Sequence, residues 1–187
     1  MDERFLFTPT DVHGVTEIKR RRFSDARGSF TRLFCPDALG AIGWKGRVRQ
    51  VNHSISTKPG TIRGMHYQPP PFSEAKIVTC LAGAVWDVAV DLRTQSPTYL
   101  KWAAVRLTPD SDNALYIPAG CAHGFQSLVS DTALIYIHDG EYAPQADAGF
   151  SPVDPALNIK WPLGGRIMSQ KDQDLPFIGD DFEGLKL

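Results

Sequence analysis

Two short segments of the chain carry residue types that could do chemistry. Residues 60–68 read Gly-Thr-Ile-Arg-Gly-Met-His-Tyr-Gln, contain His66 and are followed by Lys76. Residues 116–125 read Tyr-Ile-Pro-Ala-Gly-Cys-Ala-His-Gly-Phe and contain His123. Histidine exchanges a proton near neutral pH and also binds metals. The two segments therefore indicate either proton transfer or metal chemistry.

Both segments resemble the paired signatures of the cupin superfamily, a glycine six residues before a histidine and then P-x-G-x-x-H. Metal-binding cupins continue the first motif as H-x-H with a later carboxylate, but here Gln68 replaces the second histidine and Lys76 lies downstream. One histidine per motif cannot supply the three or four ligands that Zn, Fe or Mn requires. We therefore expect no metal and no other cofactor, and an activity that survives chelation.

Short β-compatible runs separated by turns surround these motifs. Apolar and polar residues alternate in residues 86–92, and Tyr136 lies on one face of its run together with Leu134 and His138. Only residues 35–42 look helical, as one or two turns. The other β-compatible runs are residues 76–81, 101–107 and 133–138. Such spacing predicts a sandwich or barrel, and the motifs make it an all-β, cupin-type jelly-roll β-barrel with short peripheral helices.

The length of 187 residues suits one domain, with a core from about residue 15 to 177. The last forty residues are irregular and rich in Pro, Gly and Asp. We expect them to form an irregular C-terminal wrap around the barrel, and residues 179–187 to fray.

Composition excludes several classes of function. The net charge of −1 gives no general attraction to nucleic acid or an anionic membrane, and residues 19–22 (Lys-Arg-Arg-Arg) are better explained as a solvated edge strand than as a nucleic-acid patch. The three cysteines are far apart, which fits a reducing compartment. With neither a signal-peptide pattern nor an apolar run of about 20 residues, the chain is expected to be cytoplasmic.

Taken together, the motifs resemble the dTDP-4-dehydrorhamnose 3,5-epimerase family. The matching segments occur in the family's order between about Phe23 and Pro176. They are residues 50–54, 63–68, 87–93, 96–98, 118–125 and 169–172. The resemblance implies a cofactor-independent epimerase of a nucleotide-linked 4-keto-6-deoxy sugar, acting at C3, C5 or both. It also implies a role in deoxysugar and polysaccharide biosynthesis, including lipopolysaccharide.

The chemistry of such a reaction is clear without the name. A ketone acidifies the neighbouring C–H bonds, so inversion needs a base, a stabiliser for the enolate oxygen and an acid on the opposite face. His66 suits the base because its ordinary pKa of about 6.5 lies near working pH. Lys76 would face the enolate and Tyr136 would return the proton. By resemblance, Asp172 orients His66.

The resemblance also implies a site for the nucleotide diphosphate. Arginine matches the oxygens of a diphosphate bidentately. The family supplies part of this site from the partner subunit of a homodimer, including the arginine at position 27, and an aromatic residue stacks on the base. The matching positions are Arg63, Arg27 and Lys171 for the diphosphate, Tyr142 for the base, and Gln50, Asn52 and His123 for further contacts.

Each assignment has an ordinary structural alternative. His123 could cap a turn, Tyr136 could be a core tyrosine, and Lys76 could protect a strand edge. Asp172 could be a solvated aspartate and Arg27 a turn residue. At the level of function, the alternatives are a sugar-nucleotide 3,4-ketoisomerase and a non-catalytic cupin that binds a sugar nucleotide.

The sequence departs from the family at recognition positions. The typical R-G-F-F-x-E reads Arg-Gly-Ser-Phe-Thr-Arg at residues 27–32, so Arg32 replaces an acid. Val51 replaces a usual aspartate, and Asp147 stands where glutamate is usual. We therefore expect the reaction type to be retained and the nucleotide or sugar to differ from dTDP-4-keto-6-deoxyglucose.

Overall fold

The computed structural model describes residues 3–179 and 182–187 and contains two antiparallel sheets packed face to face as a cupin-type jelly roll. The first sheet has six strands. In spatial order they are β1 (Phe5–Pro9), β2 (Thr16–Arg20), β10 (Asn113–Ile117), β7 (Lys76–Ala82), β12 (Thr132–His138) and β5 (Gln50–Ser56).

The second sheet has five strands, and a separate hairpin stands beside the barrel. The second sheet runs β13 (Ala148–Gly149), β6 (Ile62–Tyr67), β11 (Cys121–Ser127), β8 (Val85–Asp91) and β9 (Trp102–Leu107). The hairpin pairs β3 (Arg22–Asp25) with β4 (Gly28–Thr31). The helices are the single turns α1 (Pro36–Leu39) and α2 (Gln170–Gln173), with 3-10 turns at Gly40–Ile42, Pro109–Ser111 and Pro144–Ala146.

The alternation predicted for residues 86–92 is confirmed in β8, but both of its faces are buried. Val85 and Ala89 belong to the core between the sheets, whereas Val88 and Val90 pack under the C-terminal segment. The inward face also carries Asp87, which is fully buried. A charged side chain that faces the core needs a partner. The partner of Asp87 belongs to the site described below.

The predicted strands and helical turn are confirmed to within a residue. The runs at 76–81, 101–107 and 133–138 correspond to β7, β9 and β12. The helical stretch predicted at 35–42 is α1 followed directly by a 3-10 turn. Proline at the first position of α1 suits a helix start, because its missing N–H has no partner there in any case.

The C-terminal segment wraps the barrel as expected, but the prediction that residues 179–187 fray is wrong for residues 182–187, and residues 180 and 181 lie outside the described part of the chain. Leu185 is only 8% exposed and packs on the outer face of the second sheet. Its backbone N–H donates to the carbonyl of Leu92 at 2.6 Å. Leu185 is an apolar residue in a polar tail and lies in a groove beside β8. Its burial stabilises the position of the C-terminal segment.

The interpretation of residues 19–22 as a solvated edge strand is also wrong. Strand β2 lies between β1 and β10, and Arg20 is 6% exposed. Its guanidinium donates to Thr79 Oγ1 at 3.0 Å, and burial lowers the pKa of Arg20 to about 10 despite the nearby Asp112. Successive side chains of a strand lie on opposite faces of the sheet. Arg20 therefore lies on the same buried face as Ile18, whereas Lys19 and Arg21 are exposed. In the described part of the chain, no helix has the length and apolarity needed to cross a membrane.

Candidate active site

A cavity of about 390 Å³ lies between the two sheets and is lined by both of them and by α2. Its volume falls in the range of small-molecule sites. The first sheet contributes Asn52, Lys76, Tyr136 and His138, the second Arg63, His66, His123 and Phe125, and the segment around α2 contributes Ser169, Lys171 and Asp172.

His66 on β6 and Asp172 on α2 form a hydrogen-bonded pair, with 2.7 Å between Nε2 and Oδ1. The Asp172 side chain is 5% exposed and that of His66 is 35% exposed. Burial alone would raise the pKa of the Asp172 carboxyl, but His66 and Ser169 lower it below its usual value. An ionised acceptor at this distance places the hydrogen on Nε2 of His66 and leaves Nδ1 as the basic nitrogen.

The helix turn that carries Asp172 is set by its N-cap. The hydroxyl of Ser169 accepts a hydrogen bond from the backbone N–H of Asp172 at 3.1 Å. Serine is a preferred N-cap because it satisfies one of the free N–H groups of the first turn. The cap therefore fixes the direction from which the carboxylate approaches His66.

His123 lies beside His66, because the two are register partners on β11 and β6. Its Nε2 is 2.8 Å from Asp87 Oδ1. Burial lowers the pKa of His123 and outweighs the opposite effect of Asp87. The close approach of the two strands needs glycine, since a Cβ on Gly64 would meet Gly124 Cα at 2.5 Å.

Tyr136 lies on β12, across the cavity from the strand that carries His66. Its hydroxyl is 3.1 Å from Ser54 Oγ, and its ring meets that of His123 edge-on with centroids 6.0 Å apart. Burial raises the pKa of Tyr136 well above its ordinary value. The phenol therefore keeps its proton at neutral pH and is a hydrogen-bond and proton donor.

Lys76 lines the cavity with its ammonium held by a buried carboxylate. Glu74 Oε1 is 3.2 Å from Lys76 Nζ and 3.0 Å from His138 Nδ1. Sequence reasoning missed Glu74, His138 and Asp87 as site residues. The available signals were a carboxylate two residues before Lys76, a histidine two residues after Tyr136 on the same strand face, and an aspartate on the core-facing side of β8.

Of the remaining residues predicted to bind the substrate, some line the cavity and others lie outside its wall. Arg63, Asn52 and Lys171 line it. Lys171 forms an ion pair with Asp147, which also accepts a hydrogen bond from the hydroxyl of Tyr142 at 2.9 Å. Tyr142 is 57% exposed and lies outside the cavity wall.

Two predicted residues are directed elsewhere in this chain. Gln50 donates from its amide to the carbonyl of Gly140 at 2.8 Å and is not part of the cavity wall. Arg27 lies at the tip of the β3–β4 hairpin, its side chain 90% exposed and paired with Asp25. It therefore does not reach the cavity of its own chain.

Gln68, which replaces the second cupin histidine, forms hydrogen bonds with backbone groups of neighbouring loops. Its amide donates to the carbonyls of Phe72 and Glu141, each at 3.1 Å, and its oxygen accepts from Ala143 N at 2.7 Å. Within residues 3–179 and 182–187, no three His, Cys, Asp or Glu side chains are grouped as metal ligands would be. The expectation that no metal is needed stays a prediction.

Comparison with known proteins assigns the chain to a family. The sequence pattern that defines the dTDP-4-dehydrorhamnose 3,5-epimerase family matches residues 9–180. The dTDP-4-dehydrorhamnose 3,5-epimerase of Streptomyces griseus is 44% identical over 174 residues, 92% of this chain and 86% of that protein. The chain belongs to the dTDP-4-dehydrorhamnose 3,5-epimerase family.

Solved structures of this epimerase family share the fold. NovW, a 4-keto-6-deoxy sugar epimerase from Streptomyces spheroides, superposes with a TM-score of 0.88 at 39% identity, covering 95% of this chain and 89% of that one. ChmJ, a 3'-monoepimerase from Streptomyces bikiniensis in complex with dTDP-quinovose, gives a TM-score of 0.84 at 34% identity, covering 90% and 86%. The family resemblance and the jelly-roll prediction are thus confirmed.

Proposed function

We propose that this chain inverts one or both of the carbons beside the ketone of a nucleotide-linked 4-keto-6-deoxy sugar, with His66 as base and Tyr136 as acid. The observation that carries the proposal is the arrangement of these two side chains on opposite sheets around one cavity. His66 has an ionised carboxylate partner, and Tyr136 keeps its proton. A base and an acid on opposing walls are what inversion through an enolate requires.

In this mechanism, His66 removes the acidic proton and the resulting imidazolium is stabilised by Asp172. The negative charge that develops on the ketone oxygen is stabilised by the ammonium of Lys76, whose position is held by Glu74. Tyr136 then donates its proton to the other face of the carbon. No electrons leave the substrate, so the reaction balances without a redox cofactor.

The substrate class follows from the family and from the charges around the cavity. Arg63 and Lys171 line the wall and suit a diphosphate. The exposed ring of Tyr142 suits stacking on a nucleobase, and Asn52 adds a polar contact. Gln50 and His123 remain proposed as further contacts, Gln50 after release from the Gly140 carbonyl.

We further propose that the active form is a cytoplasmic homodimer with shared sites. The β3–β4 hairpin is exposed from Arg22 to Phe30, with Phe23 and Phe30 paired across its strands at 44% and 66% exposure. Two exposed aromatic rings on one hairpin are typical of a contact surface. Arg27 at its tip would then reach the diphosphate in the partner's cavity.

The function is tested by solvent deuterium exchange into 4-keto-6-deoxy sugars linked to dTDP, UDP, CDP or GDP, followed by NMR. An epimerase exchanges the hydrogen at C3, C5 or both and yields inverted product. A 3,4-ketoisomerase moves the carbonyl instead, and a non-catalytic cupin shows neither change. Unchanged substrate or a migrated carbonyl at full enzyme concentration would contradict the proposal.

A further inference from the structure

Glu74 is a buried carboxylate shared by two neighbouring strands of the site. Its Oε1 lies 3.2 Å from Lys76 Nζ and 3.0 Å from His138 Nδ1. Lys76 and His138 are direct register partners on β7 and β12. The side chains of Glu74, Lys76 and His138 are 8%, 9% and 10% exposed, so solvent does little to screen their charges.

The backbone holds Glu74 in this position. Ala75 N donates to Asp139 Oδ1 at 2.7 Å, and Asp139 N donates to the carbonyl of Ala75 at 3.1 Å. These two bonds extend the pairing of β7 and β12 by one step beyond Lys76 and His138. They fix the backbone next to Glu74, and the carboxylate itself is held by its contacts with Lys76 and His138.

The charge of Glu74 determines which nitrogen of His138 carries the hydrogen. Burial alone would raise the pKa of the Glu74 carboxyl, but His138 and Lys76 lower it below its usual value. An ionised carboxylate 3.0 Å from Nδ1 favours a hydrogen there. The distance of this contact suits a hydrogen bond, although its geometry falls short of one. In the neutral ring, Nε2 then carries the lone pair.

We propose that His138 is a further substrate-binding residue whose Nε2 accepts a hydrogen bond from a hydroxyl of the sugar, and that Glu74 positions it. His138 lines the cavity next to Tyr136, with ring centroids 6.2 Å apart. Because Nδ1 is buried against Glu74, the ring presents its other edge to the cavity. This role rests on the proposed function, since it requires a sugar beside Tyr136.

The test separates the sugar from the nucleotide by measuring dissociation constants for dTDP and for dTDP-quinovose by calorimetry. His138→Asn keeps a donor at the Nδ1 position but has no atom at Nε2, whereas His138→Gln places a polar atom near Nε2. We expect His138→Asn to weaken dTDP-quinovose binding about 5–30-fold with dTDP changed less than about twofold, and His138→Gln to recover part of the loss. Retained dTDP binding also shows that each variant is folded.

Glu74→Gln tests the positioning role. It should weaken dTDP-quinovose binding more in the parent chain than in the His138→Asn background, because the part of its effect that acts through His138 is already lost there. Glu141→Gln is the matched control, since that side chain is 73% exposed and its partner is Arg49. It should leave both dissociation constants unchanged.

An unchanged ratio of the dTDP and dTDP-quinovose dissociation constants in His138→Asn would overturn this role of His138, whether both affinities fall equally or neither falls. A different nucleotide preference of the enzyme moves both constants together and leaves their ratio intact. A parent chain that binds neither these ligands nor their UDP, CDP and GDP counterparts would instead contradict the proposed function.

Discussion

His66 and His123 are register partners on adjacent strands, yet each has a carboxylate of its own. Nε2 of His66 is 2.7 Å from Asp172, and Nε2 of His123 is 2.8 Å from Asp87. The two side chains differ in exposure, at 35% and 8%. Burial lowers the pKa of His123 and keeps that ring neutral, while the side chain of His66 is open to the cavity.

Asp172→Asn should lower kcat about 10²–10⁴-fold, because the amide keeps the shape but no longer stabilises an imidazolium on His66. Steady-state turnover measured by NMR of the sugar checks this. Asp174→Asn, an exposed position at the end of the same helix turn, is the control and should keep parent activity. Equal rates in the two variants would show that the pair with His66 does not serve catalysis.

His123 should make the fold less stable in mild acid. A histidine whose pKa is lowered by folding takes up its proton more readily in the unfolded chain. Its destabilising effect is therefore absent above the unfolded pKa of about 6.5 and grows as the pH falls below it. Urea unfolding of the parent and of His123→Gln checks this. We expect the parent to lose stability relative to the variant between about pH 7 and pH 5, and parallel curves would contradict the expectation.

Mixing two inactive variants should restore activity if the hairpin completes the partner's site. In a mixed dimer of one His66→Asn chain and one Arg27→Ala chain, one of the two cavities has both its own His66 and Arg27 of the partner subunit. Co-refolding equal amounts should give about a quarter of parent activity, since half the dimers are mixed and each has one intact site. Mixing His66→Asn with Tyr136→Phe is the control, because no intact site can form. No recovery in the first mixture would contradict the shared site.

Nucleotide preference should differ from that of the family, given Arg32 where an acid is usual. A change of charge at a recognition position alters specificity more readily than chemistry. Competition of dTDP, UDP, CDP and GDP for the same site measures the preference directly. A clear preference for dTDP would show that Arg32 and Val51 do not set it.

Local sequence pattern predicted the bounds of β7, β8, β9 and β12 well, because alternation with a period of two is a property of each segment alone. It failed at Arg20, where a run of four charges was interpreted as a unit although every second residue of a strand faces the same side. It also failed at Leu185, whose groove is formed by β8, far away in the chain.

The site could be predicted only in part for the same reason. Asp172 is 106 positions from His66, and resemblance alone connected them before the structure brought them to 2.7 Å. No resemblance to a known family connected Glu74 with His138. Their contact depends on the register of β7 against β12, which local periodicity does not specify.

Deuterium exchange by two variants tests the proton-transfer mechanism most directly. In His66→Asn, exchange into the 4-keto sugar nucleotide should be abolished at every carbon, since the base is gone. In Tyr136→Phe, exchange should persist with retention of configuration while inversion falls about 10²–10⁴-fold, because His66 remains and the opposing acid does not. Near-normal exchange in His66→Asn, or inversion at the parent rate in Tyr136→Phe, would contradict the mechanism.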